Sequence, residues 1–195
     1  MKNAFFAMVS RMKYINRWAL MRNEHSENLM EHSFEVSAIA HALAVIGNKR
    51  FGKDIDCDRV ALLGLYHDTP ETLTGDMPTP VKYYSEEVRK AYATVETEAC
   101  RSLIAMLPED LRSEYEPLFF HEESDSELWK YVKAADKISA LIKCIEEKKA
   151  GNSEFDSAAE SVAASVDALG LEEAKVFVSE FLPAYDLTLD RLKDE

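Results

Sequence analysis

In the stretch LYHDTPETLTGDMPTP, Leu65 to Pro80, His67 adjoins Asp68, Glu71 follows within a turn, and Asp76 stands just after Gly75. An imidazole beside carboxylates suits a divalent cation, and a carboxylate just outside the ligands can take a proton from water. On a regular helix, neighbouring side chains diverge by about 100°, so His67 and Asp68 reach one point only at a helix end or a local break. Pro70 marks such a break, because it lacks an N–H and steers the residue before it away from helix. Glu71 shares their face if the turn persists. Alone, an HD dipeptide is weak, since a histidine at a helix end more often caps or hydrogen-bonds.

Further candidates lie elsewhere. His32, in LMEHSFEVSAIAHALA, is near the start of an apolar-faced helix, and Asp136, in YVKAADKISALIKC, is mid-helix among Val132, Ala135, Ala140 and Leu141. An unpaired buried carboxylate costs several kcal/mol or becomes protonated, so Asp136 is either a ligand or faces solvent beside Lys133 and Lys137. Arg17 and Trp18 read as a cation–π staple or as a functional pair. Asp76 is also an ordinary turn residue, Glu71 can cap or ion-pair, and Lys82 is a phosphate contact or simply solvated. His41 is nine residues from His32, which puts it on the opposite face of the same helix, and His121 sits in the acidic HEESDSE; both read as structural.

The elements that must position these groups are helices. Phe5, Met8, Val9 and Met12 form one stripe, and Phe34, Ala38, Ile39, Ala42 and Ile46 a second. Val60, Leu63 and Leu65 mark a third helix leading into the opening stretch, and Val88, Val95, Ala99 and Leu103 a fourth, ended by Pro108. Ser124 and Glu127 have capping-box spacing before a long helix with Leu128, Val132, Ala135, Leu141 and Ile145 that stops near Gly151. Ala158, Val162, Ser165, Val166 and Leu169 suggest a sixth, and Val176, Phe177 and Phe181 a seventh before Pro183. Between helices, NEHSEN (Asn23 to Asn28) and TGDMPTP (Thr74 to Pro80) read as loops, the second held rigid by Gly75, Pro78 and Pro80. The expectation is an all-α chain with a single domain over 1–195.

Composition narrows the function classes. The 195 residues are 47% hydrophobic and 30% charged, ordinary for one folded domain. A net charge of -13 argues against binding polymeric nucleic acid but leaves a small phosphorylated ligand open, because such a ligand needs only a metal or one or two cations. Cys57, Cys100 and Cys144 have no CxxC spacing and read as free thiols of a reducing compartment. The amino terminus lacks a signal-like apolar core and no apolar run matches a membrane span, so a cytoplasmic protein without membrane partners is expected.

The order His32, His67-Asp68, Asp136 resembles the H…HD…D signature of the HD-domain metal-dependent phosphohydrolase superfamily. The segments NRWALMRN, ENLMEHS, LYHDTPETLTGDMPTPVKY and KAADKISALIKCIEE are similar to those of the bacterial 5'-deoxynucleotidases within it, over nearly the whole chain. The resemblance implies an HD-domain helical bundle with His32, His67, Asp68 and Asp136 as ligands of a divalent ion such as Co, Mn or Mg. It implies that Glu71 assists the attacking water and that Arg17 and Trp18 orient phosphate and contact sugar. Asp76, Met77, Pro78 and Thr79 match the loop that grips deoxyribose, with Asp76 either binding the sugar or acting as an acid. His32, Asp68 and Glu71 would also border the substrate, a deoxyribonucleoside 5'-monophosphate. The family usually has Leu at Met77, and the segment around His25 departs from its pattern, so His25 is not taken as a ligand. A homodimer is implied too. An HD-domain phosphodiesterase, a triphosphohydrolase and a non-catalytic helical module remain as alternatives.

Overall fold

The computed structural model describes residues 3–120 and 122–194, so His121 lies outside the described residues. The helices are α1 (Phe5–Val9), α2 (Leu29–Arg50), α3 (Cys57–Tyr66), α4 (Glu71–Thr74), α5 (Thr79–Lys82), α6 (Glu86–Ala105), α7 (Glu109–Phe119), α8 (Leu128–Lys149), α9 (Asp156–Ala168), α10 (Glu172–Glu180) and α11 (Arg191–Asp194). Among the described residues the only extended pairing is an isolated antiparallel bridge between Asn16 and Asn28, which bears out the all-α expectation.

Two compact units divide the chain. The first comprises Met1–Arg22, Ser26–Phe34 and Leu65–Ser126; the second comprises Asn23–His25, Glu35–Gly64 and Glu127–Glu195.

In the first unit Phe5, fully buried, meets Tyr115 edge-on at 5.2 Å between ring centroids and Phe119 at 6.0 Å, while Tyr66 lies 6.0 Å from Phe119. Such T-shaped arrangements favour the rings' quadrupoles beyond the area they bury. Met12, Tyr92, Leu103, Ile104 and Leu118 extend this core. The start of α2 belongs here and has a clear cause. Asn28 Oδ1 accepts from the N–H groups of Met30 (3.0 Å) and Glu31 (3.1 Å), and Glu31 Oε2 accepts in return from Asn28 N–H at 3.2 Å. This reciprocal box satisfies donors that a helix start leaves orphaned, and it fixes the turn on which His32 stands.

In the second unit Val36, Ile39, Leu43, Val60, Leu63, Val132, Ile138, Ile142, Phe155 and Phe177 are buried. α2 and α3 touch closely here: a Cβ on Gly64 would come within 3.0 Å of the Ser37 Cα, and Ser37 Oγ donates to Ala61 C=O at 2.7 Å. Two buried acids pin α8 to its surroundings. Glu147, fully buried, accepts from Lys143, from the backbone N–H groups of Glu24 (2.9 Å) and His25 (3.1 Å), and from Asn152 Nδ2 (2.7 Å). Lys143 also donates to the His25 carbonyl, so Asn23–His25 is held to α8 by its backbone. Glu173, equally buried, pairs with Lys53 Nζ at 2.6 Å and accepts from Tyr131 OH at 3.1 Å.

Several expectations change. The first stripe spans α1 and a 3-10 turn, Ser10–Tyr14, with Phe5 and Met12 buried. Phe34 is 71% exposed and Ala38 is exposed, while Leu29, Val36, Ala40, Leu43 and Ala44 are buried instead. α2 is apolar around most of its circumference, so spacing cannot select the buried side. Leu65 and Val95 are likewise exposed. Ser124 and Glu127 form no capping box: residues Glu123–Asp125 make a 3-10 turn, and α8 starts after Glu127 without a side-chain cap. α7 was not anticipated, because it is charge-rich and contains Pro117. Pro80 does not stop a helix but lies in the first turn of α5, where its missing N–H costs nothing.

By length and composition α2 alone among the described helices could cross a membrane, yet half of its most apolar window is buried in the protein and it carries the buried polar His32 and Ser33. It is a core helix.

Removing one partner of a buried ion pair strands the other charge, so Glu147→Ala is expected to cost about 3–5 kcal/mol in urea unfolding. Burial pushes the Glu147 carboxyl up, but Lys143, the Glu24 N–H, Asn152 and the His25 N–H outweigh it and bring it down to about 2. Its contribution is therefore complete above the ordinary glutamate value near 4.5 and fades as pH falls toward 2. Glu147→Gln should flatten the acid limb of stability against pH.

Candidate functional site

α3 ends at Tyr66, and a turn follows in which the Thr69 N–H donates to Tyr66 C=O (3.1 Å) and the Glu71 N–H to Asp68 C=O (3.0 Å). Pro70 then caps α4 with φ −57°. This break lets adjacent side chains converge, as the sequence required. His67 Nε2 lies 3.1 Å from Asp68 Oδ2, and His32 Nε2 lies 3.5 Å from the same oxygen. One ligand atom from each of His32, His67 and Asp68 falls within 4.8 Å of the others. His32 is fully buried and its ring centroid is 5.3 Å from that of His67.

Electrostatics sort the carboxyls. Burial pushes Asp68 up, but His67, His32 and Arg17 outweigh it and hold it well below the usual carboxylate range. Glu71 is pushed up to about 9 by burial and by the charges of Asp68 and Asp76, against weaker relief from Lys82 and Arg17. Among the described residues its Oε2 has no hydrogen-bond partner, although it is buried. Positive charge placed beside His32, His67 and Asp68 would favour the ionised form of Glu71. Asp76 is raised by burial and by Asp68, and lowered by Arg17 and by a hydrogen bond from the Trp18 N–H.

α4 closes at Gly75, whose φ of 75° and ψ of 161° belong to a region that only glycine occupies readily. Asp76, Met77 and Pro78 follow, half-buried, and Thr79 opens α5 on the exposed side. The Tyr92 hydroxyl donates to the Gly75 carbonyl at 3.3 Å. Lys82 is not merely solvated: Nζ pairs with Glu96 at 2.7 Å and lies 5.0 Å from the Tyr92 ring centroid.

Arg17 and Trp18 come to the cluster through the bridge at Asn16 and Asn28. The Arg17 N–H donates to Glu27 C=O and the Leu29 N–H to Ile15 C=O, both at 2.9 Å. Arg17 Nη1 lies 2.8 Å from His32 Nδ1 and 3.0 Å from Glu27 Oε1, and Trp18 Nε1 donates to Glu27 Oε2 at 2.9 Å. The Arg17 guanidinium also stands 5.8 Å from the Trp18 ring, so the cation–π contact and the functional placement coexist. Trp18 has φ 60°, a left-handed conformation rare for an aromatic residue and held only where surroundings enforce it.

His32, His67, Asp68, Glu71, Arg17, Trp18 and Asp76 thus all belong to the first unit. Asp136 is half-buried on α8 of the second unit, beside the buried Ala134 and Ala135. His41 is exposed on α2, and His25 is held by its backbone. Cys57, Cys100 and Cys144 are free thiols. Glu27 was missed by the sequence reading. Its signal was position: an acid just before the Asn28 cap, one turn ahead of His32.

Residues 4–185 match the family described as 5'-deoxynucleotidase YfbR-like. The chain is 46% identical over 188 residues to a 5'-deoxynucleotidase of Vibrio cholerae serotype O1, covering 96% of this chain and 97% of that one. It is 44% identical over 191 residues to the 5'-deoxynucleotidase YfbR of Escherichia coli, covering 98% and 96%. Among solved structures, an HD-domain phosphohydrolase from Listeria innocua superposes with TM-score 0.81 at 23% identity, covering 97% of this chain and 91% of that one. The cyanophage S-2L HD phosphohydrolase DatZ, bound to dA and one catalytic Zn2+ ion, superposes with TM-score 0.65 at 19% identity, covering 91% and 95%. Both share the HD fold with this chain.

A Cβ on Gly75 would meet none of the described residues within 4 Å, so Gly75→Ala isolates backbone strain. It should destabilise by about 1–3 kcal/mol in denaturant unfolding. An unchanged midpoint would show that the segment before Asp76 relaxes without resistance.

Proposed function

The chain belongs to the 5'-deoxynucleotidase YfbR-like family, and we propose that it hydrolyses deoxyribonucleoside 5'-monophosphates to deoxynucleoside and phosphate as a metal-dependent phosphoric monoester hydrolase. The observation that carries this reading is the convergence of His32, His67 and Asp68 beside Arg17 and a buried, raised Glu71.

Two imidazoles and an ionised carboxylate suit a divalent ion, and Glu71 Oε2, buried with no hydrogen-bond partner among the described residues, is a carboxyl that Lys82 and Arg17 only partly relieve. His32, His67, Asp68 and, from α8, Asp136 would hold the ion, with Co2+, Mn2+ or Mg2+ as candidates. When bound, it supplies charge against the phosphate oxygens and lowers the pKa of water. Arg17 offers a planar fork of donors to the phosphate. Glu71, once ionised, accepts a proton from the attacking water. Trp18 presents a flat wall to the sugar, and Asp76 accepts from a 3'-hydroxyl, with Met77, Pro78 and Thr79 closing that side. A 2'-hydroxyl would meet the wall or be left unsatisfied, so selectivity against ribonucleotides comes from exclusion as much as attraction, and a 3'-phosphate would meet Asp76. The reading extends to a cytoplasmic homodimer that binds neither polymeric nucleic acid, consistent with the net charge of -13, nor membrane.

Purified protein supplied with Mn2+, Co2+ or Mg2+ should release phosphate from dAMP, dCMP, dGMP and dTMP, and much less from AMP or a 3'-monophosphate. Equal turnover of AMP and dAMP would remove the sugar selectivity.

His67→Ala and Asp136→Ala should lose bound metal and turnover together. Glu71→Gln should keep the metal, measured by elemental analysis, and lose about 10²–10⁴-fold in kcat. A fully active Glu71→Gln would show that another group handles the proton.

A further inference from the structure

We infer that Glu27 is a positioning residue, holding the phosphate- and sugar-facing pair Arg17–Trp18 and the metal-facing imidazole of His32 in one arrangement. The inference rests on the reading of the site as a metal-dependent deoxynucleotide hydrolase.

Glu27 reaches all three side chains with one carboxylate. Oε1 accepts from Arg17 Nη1 at 3.0 Å and lies 3.3 Å from His32 Nδ1, while Oε2 accepts from Trp18 Nε1 at 2.9 Å. Only an ionised carboxylate, an acceptor on both oxygens, can serve these groups together; an amide presents a donor on one side. The backbone bridge at Asn16 and Asn28 sets the two strands of chain in register, so Glu27 faces Arg17 directly. The side chain is 14% exposed, shielded enough for these bonds to outweigh water.

The consequences differ at each end. Among the contacts of His32 Nδ1 are Arg17 Nη1, which can only donate, at 2.8 Å, and Glu27 Oε1, which can only accept, at 3.3 Å. Glu27 favours a proton on Nδ1 and so leaves the Nε2 lone pair on the Asp68 side, the state a metal ligand needs. Glu27 also tethers Arg17 Nη1 at 3.0 Å, which fixes the guanidinium beside the cluster. At Trp18 the backbone is left-handed, and the ring's bond to Glu27 together with the main-chain bond to Asp76 keeps it there. One side chain thereby serves both metal affinity and substrate placement.

The test is Glu27→Gln and Glu27→Asp in metal-free full-length protein, titrated with Mn2+ alone by calorimetry, followed by kinetics on dAMP at saturating Mn2+. Glu27→Gln should weaken Mn2+ binding about 10–100-fold and raise KM about tenfold with a smaller change in kcat. Glu27→Asp keeps the charge but is a methylene short, so it should fall between Glu27→Gln and the parent. A purely structural role would instead lower Tm and the active fraction, leaving Kd and KM of the folded molecules untouched. Parent values of either constant in folded Glu27→Gln overturn the proposal; if that variant does not fold, parent values in Glu27→Asp do so. Should the parent protein turn over no dAMP, the hydrolase reading fails while the Mn2+ titration still rules on Glu27.

Discussion

Neighbouring side chains cannot share one small site on an unbroken helix, and the stop after Tyr66 is the constraint on which the rest of the site depends. Pro70 marks it, since it has no N–H to carry the helical bonding on, and the chain passes through i→i+3 turns from Tyr66 to Leu73. The turn that results brings Asp68 to both imidazoles and starts α4 at Glu71. Gly75 then supplies the second change of direction, in a conformation closed to other residues, and Asp76 follows it. Two short helices and two breaks therefore do what one longer helix could not.

Charge is the second organising term. Asp68, Glu71 and Asp76 crowd one region, and burial together with the charges of Asp68 and Asp76 pushes Glu71 up. Asp68 is held down because His67, His32 and Arg17 surround it. Glu147 shows the opposite solution. It is fully buried, where Glu71 is only half-buried, yet Lys143, Asn152 and two backbone N–H groups hold it well below the ordinary glutamate value, and its work is to anchor a loop.

Much of this was legible from residues alone. The break at Pro70, the candidates in Leu65–Pro80, the opposite facing of His32 and His41, and the helices carrying them all follow from local rules with short range. What was misread has a common cause. Phe34 and Val95 are exposed although their spacing fits a stripe, because α2 and α6 offer more apolar positions than their buried faces use. The capping box at Ser124 fails although its spacing is right, because the chain there takes a 3-10 turn. Local pattern names what a segment can do, and packing selects among those options.

The sequence by itself determined the helical class, the break at Pro70 and the inventory of groups able to bind a cation, since these rest on periodicity, proline geometry and side-chain chemistry within a few residues. Only the tertiary structure decided that Glu27 joins Arg17, Trp18 and His32, that Trp18 is held left-handed, and that Glu71 is the carboxyl pushed up while Asp68 is held down. Those outcomes arise from burial and from contacts across a backbone bridge, which spacing along the chain does not encode.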